Sequence, residues 1–324
     1  MPYAEVFFIN ITLLSEQYLD NMVKLWNENF KQAYHITNKM ILNKIFHDRD
    51  TFFEGSFLLL DNGKLSGFIV SKVNRGALPE YDNCAWISTL VVDRNYQNRG
   101  FGKELFQRAE EELYRYGTEK IIFGGEFDNF FSGIPDPSSR TLGFFSGRGF
   151  ILNNDEHYDL SADISKINFD DFQIDMNKTD DYCTSEMTLA QKDKLSCFFD
   201  ETFPGRWKTE VFEYLEHGGD PRNVLILWNK EKIVGFCKIF ISEGKDDLTA
   251  SRGESWGSLG PIGISKDIRG KGLGNRILND SLRFLQKRGA RNVIIDWTIL
   301  KDFYGQFGFN PLRTYRGAYK LKNG

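Results

Sequence analysis

The residues best placed to do chemistry are Arg269-Gly270-Lys271-Gly272-Leu273-Gly274-Asn275. They follow an apolar run ending near Ile264 and lead into a segment in which Leu273, Ile277, Ser281 and Leu285 recur every four residues, the spacing of one helix face. Glycines at a strand-to-helix turn let backbone N–H groups converge with no Cβ in the way. The free N–H groups and the dipole at a helix start attract an anion. Lys266, Arg269, Lys271 and Arg276 add positive charge around the same point, so a pyrophosphate is the natural ligand. The loop is not the dinucleotide fingerprint, since the third glycine and the parallel βαβ context are missing, and no Gly-Lys-Ser/Thr makes it a P-loop.

The elements that must position this loop occur twice. Residues 90–117 repeat the pattern of 262–289, with Gln97, Gly100 and Gly102 each 172 residues before Arg269, Gly272 and Gly274, and Val92 ending the first-half run as Ile264 ends the second. Before each loop lie two apolar runs split by a polar turn, 56–60 and 66–73 in the first half, 223–228 and 233–241 in the second, which read as β-hairpins. After each loop come a helix, a short strand (120–124 and 292–297) and a helical segment closing on Gly149-Phe150 or Gly308-Phe309. The expectation is a mixed α/β (α+β) fold in two tandem copies, 1–165 and 183–324, joined through the polar stretch 162–182. A length of 324 residues accommodates two cores.

Composition narrows the function classes. Apolar residues make up 41% of the chain, including 29 Phe, ample for burial. Forty-one basic against 45 acidic residues give a net charge of −4, which argues against a nucleic-acid surface. The four cysteines form no C-x-x-C pair and the four histidines are scattered, so the reading is a reduced compartment with buried or idle thiols and no metal site. No leader-like start and no apolar stretch near the roughly 18 residues of a membrane span is present, pointing to a soluble, cytoplasmic protein with no membrane partner.

The paired loops resemble the GNAT acetyltransferase signature Q/R-x-x-G-x-G/A, followed by a helix with a Tyr and a terminal Gly-Phe. Here these are Arg269-x-x-Gly272-x-Gly274 with Phe303-Tyr304-Gly305-Gln306-Phe307-Gly308-Phe309, and Gln97-x-x-Gly100-x-Gly102 with Phe145-x-x-x-Gly149-Phe150. The resemblance covers nearly the whole chain. In its whole-chain layout the sequence also looks like the tandem GNAT glucosamine/glucosaminide N-acetyltransferases of bacteria. It implies a splayed sheet holding acetyl-CoA as cosubstrate, the pyrophosphate on the loop, and the pantetheine arm along Ile262, Gly263 and Ile264, where one N–H would polarise the acetyl carbonyl.

The resemblance further implies that Tyr304 donates the proton taken up by the departing thiolate. The same offset in the first half gives Phe145, which cannot donate, and an insertion at 127–135 follows the strand there. Chemistry is therefore expected in the C-terminal domain, the N-terminal one binding CoA or serving as scaffold. Asp296 and Glu254 are the candidate bases, and either carboxylate alternatively reads as solvated surface. Trp207, Trp256 and Trp297 fall on segments that flank a GNAT acceptor cleft, with Asp296 and Arg206 available for hydroxyl or amine contacts; each Trp taken alone reads as core before it reads as site. Together they favour an amino-sugar acceptor. A peptide, protein or polyamine acceptor, and a non-catalytic acyl-CoA sensor, are the alternatives.

Overall fold

The computed structural model describes residues 8–76, 78–172, 181–242 and 252–322; the central part of the polar linker, 173–180, lies outside them. The chain forms two compact units, one of residues 1–158 with 313–324 and the other of residues 159–312. These bounds differ from a purely sequential division, because the last strand of the chain joins the first unit.

The first unit contains β1 (Ile9–Leu13), α1 (Leu19–Asn29), α2 (Asn38–Ile41), β2 (Phe57–Asp61), β3 (Lys64–Val73), β4 (Cys84–Val92), α3 (Phe101–Tyr116), β5 (Lys120–Phe123), β6 (Ile134–Pro135), α4 (Ser139–Ser146) and the start of β7 (Ile151–Asp163). Strands β1 to β4 pair antiparallel in order, β2 and β3 through a two-residue turn and β1 and β2 across the segment that carries α1 and α2. The turn between β2 and β3 places Asn62 at φ 49° and Gly63 at φ 78°, the doubly left-handed conformation that suits the strand twist. β4 pairs with β5 in parallel only from Cys84–Lys120 to Ile87–Phe123. Apolar clusters cover both faces of this sheet, one under α1 and α2 around Trp26 and Phe68, the other under α3 around Phe106 and Phe123.

The second unit holds the end of β7, then β8 (Tyr182–Glu186), α5 (Lys192–Thr202), α6 (Arg206–Glu216), β9 (Val224–Asn229), β10 (Lys232–Ile241), β11 (Trp256–Ile264), α7 (Leu273–Lys287), β12 (Asn292–Thr298) and α8 (Lys301–Gly305). Its strand order is β7-β12-β11-β10-β9-β8. The four-residue periodicity of α7 is realised: Leu273, Ile277, Ser281 and Leu285 are all buried. On the other face, Phe199 of α5 meets Phe236 of β10 with ring centroids 4.5 Å apart. The chain ends in β13 (Asn310–Leu321), which pairs antiparallel with β5 of the first unit from Ala318–Phe123 to Leu321–Lys120.

Candidate active site

In the second unit β11 and β12 run parallel through Trp256–Asn292, Gly257–Val293 and Ser258–Ile294, and their pairing stops there. Beyond Ser258 the strands part, leaving the β12-facing edge of β11 from Leu259 to Ile264 without that partner, while the opposite edge remains paired to β10 up to Ile264–Gly235. The β10–β11 register slips between Cys237 and Ile239, so Gly260 and Pro261 of β11 together oppose Lys238 alone, one extra residue at the mouth of the opening. A bulge re-aims a strand and ends its pairing, which is what the opening needs.

The glycine loop lies at the end of β11. Gly270 and Gly272 have φ of 77° and 79°, a left-handed conformation, and a Cβ on either would meet nothing within 4 Å. These glycines serve backbone conformation and not packing. Gly272 is the N-cap of α7, so the unsatisfied N–H groups of the first turn face the exposed loop. Arg269, Gly270, Lys271 and Gly272 are exposed, Asn275 is half-buried and Leu273 is buried. Arg276 is ion-paired to Asp280 at 3.0 Å. The first unit has the same geometry 172 residues earlier, with Asn98 at φ 62° and Gly100 at φ 90°; Asn is among the few residues that tolerate this region. There, however, the loop is engaged by side chains: Gln97 donates to the Val92 carbonyl at 2.8 Å, and Arg140 donates to Asn98 at 2.6 Å.

A free strand edge leading to a helix N-terminus fits a ligand with amides along one arm and a pyrophosphate at its end. Hydrogen-bonding groups of Ile262, Gly263 and Ile264 lie on that strand, all three half-buried. Gly263 is required by close approach: a Cβ there would lie 2.6 Å from the Phe203 ring and 3.1 Å from Trp207.

Two predicted chemical residues meet at the opening. Asp296 is exposed on β12, and its Oδ1 lies 4.0 Å from where a Cβ on Gly260 would be. Tyr304 of α8 is 5% exposed, and its hydroxyl makes no hydrogen bond among the described residues. Burial holds its pKa well above the ordinary phenol value, with further upward contributions from Cys237 and Asp296. The phenol therefore stays protonated, as a proton donor must. Cys237, fully buried on β10, is pushed up to about 12 by burial, against the opposing effects of Ser281 and the Gly260 backbone. Its thiol is thus a neutral wall of the site, a role with no signal in sequence beyond a cysteine in an apolar strand.

The aromatic residues divide. Trp207, 37% exposed, packs with Phe203 at a centroid distance of 5.0 Å. Trp297 directly follows Asp296, and the Arg206 guanidinium lies 4.4 Å over its ring. Trp256, in contrast, is 4% exposed at the start of β11, packed on Phe240 and beneath Arg252. Glu254 is exposed in the turn before β11, at the end of the strand where β11 and β12 are paired. The structure brings Trp207, Trp297, Asp296 and Tyr304 to one end of β11 and leaves Trp256 and Glu254 at the other.

In the first unit the corresponding space is filled. Phe145, four residues before Gly149 as Tyr304 is before Gly308, packs on Phe123 at 4.6 Å. Following β5, Glu126 accepts from Ser88 and from the Phe130 N–H and ion-pairs with Lys72 at 3.4 Å; Lys72 also pairs with Asp48 at 2.9 Å. Lys72 and Glu126 are almost fully buried. Burial pushes the Lys72 ammonium down, but Glu126 and Asp48 outweigh it and leave its pKa above the ordinary value. Among the described residues no group of three His, Cys, Asp or Glu is arranged to hold a metal ion, and no helix is long and apolar enough to cross a membrane.

Comparison with known proteins agrees with this geometry. The chain matches the Acetyltransferase (GNAT) family over residues 19–132 and again over 192–309. It is 26% identical over 164 residues to an uncharacterized N-acetyltransferase of Lactobacillus delbrueckii subsp. lactis, spanning 47% of this chain and 94% of that protein. Among solved structures, 97% of the chain superposes on a glucosamine N-acetyltransferase region of a fungal multi-domain β-N-acetylglucosaminidase, with a TM-score of 0.82 and 20% identity; the match spans 38% of that longer chain. A GCN5-related N-acetyltransferase from Sphaerobacter thermophilus (TM-score 0.74, 13% identity, 97% and 95% of the two chains) and a tandem GNAT protein from the clavulanic acid pathway (0.64, 14%, 97% and 98%) share the fold. The chain thus carries two copies of one acyltransferase fold and belongs to the GNAT family, as an N-acetyltransferase that moves an acetyl group to an amine.

Proposed function

We propose that the second unit transfers acetyl from acetyl-CoA directly to the primary amine of an amino sugar. The observation that carries this is the parting of β11 and β12 after Ser258 and Ile294, with Asp296 and Tyr304 beside the opening. The pantetheine arm lies along Ile262–Ile264 and the pyrophosphate on Arg269–Asn275. The neutral amine attacks the thioester carbonyl and the C–S bond breaks. Tyr304 protonates the departing thiolate, and the proton lost from the amine passes to water through Asp296, whose exposed carboxylate suits relay to solvent.

The acceptor follows from proton energetics and from the aromatic rim. Deprotonating a lysine of pKa ~10.4 at pH 7 costs about 4.6 kcal/mol, whereas an amine near ~8 costs about 1.4. An amino-sugar amine, weakened by neighbouring oxygens, belongs with the second, so one solvated carboxylate suffices. Trp207 and Trp297 offer flat faces, Arg206 and Asp296 offer polar partners for hydroxyls, and the fungal structural neighbour is itself described as a glucosamine N-acetyltransferase region. The first unit, with its phenylalanine in place of Tyr304 and its buried ion group in the opening, serves as scaffold in this reading.

The test is CoA release from acetyl-CoA across glucosamine, a glucosamine-terminated disaccharide, a lysine peptide and spermidine. Turnover on the sugars, with kcat/KM rising with pH and levelling near ~8, supports the assignment. Turnover only on the peptide or polyamine retains the transferase and refutes the sugar. CoA binding with no turnover on any amine refutes both.

A further inference from the structure

We propose that Asp159, carried on β7 from the N-terminal half of the sequence, is a positioning residue for this transfer, holding the turn that joins Asp296 to Tyr304. The inference rests on the reading above. Trp297 is the residue at which β12 leaves its extended course toward α8, and it has φ 48°. A bulky side chain occupies the left-handed region only when its surroundings hold it there. Two contacts do so. The Trp297 backbone N–H donates to Asp159 Oδ1 at 3.1 Å, and the ring lies under the Arg206 guanidinium, itself bonded to Glu210 at 2.7 Å. Asp159 is 3% exposed, and a carboxylate is buried at cost unless its bonds are made.

The position of this bond gives it leverage. Asp296 precedes the held amide by one residue, and Tyr304 follows it by seven, through Thr298 and Leu300, whose N–H donates to the Thr298 hydroxyl at 3.0 Å. If Trp297 relaxed to an extended conformation, the chain beyond it would leave by a different direction, and Asp296 and Tyr304 would lose their common registration on the opening. The glycine loop, Arg269–Asn275, and the edge of β11, Leu259–Ile264, lie on other segments of the chain. The second unit therefore draws one element of its geometry from the strand at its own start, encoded before residue 165.

Full-length Asp159→Asn, Asp159→Ala, Trp297→Gly and the Asp159→Ala/Trp297→Gly double variant test this, on the amine the wild type acetylates. Asparagine keeps an acceptor oxygen, so Asp159→Asn should stay within about 3-fold of wild-type kcat. Asp159→Ala should lower kcat by about 10-fold or more with KM for acetyl-CoA unchanged. Glycine adopts φ near 50° without help, so the factor lost through Asp159→Ala should shrink in the Trp297→Gly background. An equal factor in both backgrounds, an asparagine variant as impaired as alanine, or a parallel rise in KM for acetyl-CoA would overturn the proposal. Should the wild type acetylate no amine, the functional reading fails, and the same four proteins are compared with wild type by urea unfolding. A midpoint loss from Asp159→Ala that is smaller in the Trp297→Gly background than in the wild-type background retains the backbone hold, and equal losses refute it.

Discussion

Tyr304 is a hydroxyl whose removal should leave folding intact and affect the reaction. Its ring is packed between Phe303 and Phe309, at centroid distances of 5.0 and 6.2 Å, and phenylalanine would keep those contacts. Because the hydroxyl bonds to no described residue, its loss orphans no partner among them. General-acid catalysis typically contributes about 10²–10⁴-fold, or roughly 3–5 kcal/mol. Tyr304→Phe should lower kcat by that order with an unchanged melting temperature and unchanged acetyl-CoA affinity; near-normal turnover would place the proton donor elsewhere. Lys72 makes the opposite prediction, an effect on stability. Removing one member of a buried ion group strands its partners at about 3–5 kcal/mol, so Lys72→Met should destabilise the first unit by that order at neutral pH. Since the folded pKa of Lys72 is raised, its ion-pair contribution is fully present below the unfolded value of 10.5 and lost as pH rises through the higher folded value. The gap between variant and wild type, measured by denaturant unfolding, should therefore narrow only above about pH 10.5.

At the level of elements, the glycine loop works by conformation. An L side chain at Gly272 would be held at φ 79° with no steric neighbour to clash with, a cost of roughly 1–2 kcal/mol. That cost falls on the turn proposed above to hold the pyrophosphate. Gly272→Ala should raise KM for acetyl-CoA about 10-fold while moving kcat little, as measured by steady-state kinetics. Gly263→Ala should differ, destabilising by about 1–3 kcal/mol through overpacking against Phe203 and Trp207. The sequence made the first kind of glycine legible, because the loop recurs with 172-residue spacing and a helix face starts immediately after it. The hairpins were legible for a similar local reason, in Asn62-Gly63. What sequence could not show were the properties that arise between distant segments. Trp256 and Trp297 flank their strands alike on paper, yet one is at the paired end of β11 and the other at the parted end. Gly263 reads as ordinary until Phe203 lies against it. Cys237 and Asp159 have no local pattern to mark them, since their roles come from tertiary neighbours.

At the scale of the whole chain, the repeat in sequence and the compact units in space are out of step by one strand. β13 follows the second glycine loop in sequence, but its residues 313–321 complete the first unit. Ala318 to Leu321 pair with β5, Tyr315 is 1% exposed with its ring 5.9 Å from Tyr34 and 6.0 Å from Phe131, and the Tyr34 hydroxyl donates to the Thr314 carbonyl at 2.8 Å. A buried aromatic of this size contributes about 1.5–3 kcal/mol by area alone, and β5 without β13 becomes an edge strand. Deleting residues 313–324 should therefore loosen the first unit, even though the cut falls in the second half of the sequence. Hydrogen exchange followed by mass spectrometry should show lost protection at 120–123 and around Tyr34. Residues 292–298, held between β11 and the end of β7, should stay protected. Deprotection confined to 292–298 would mean instead that the terminal strand supports its own half, and that the two copies fold as sequential domains.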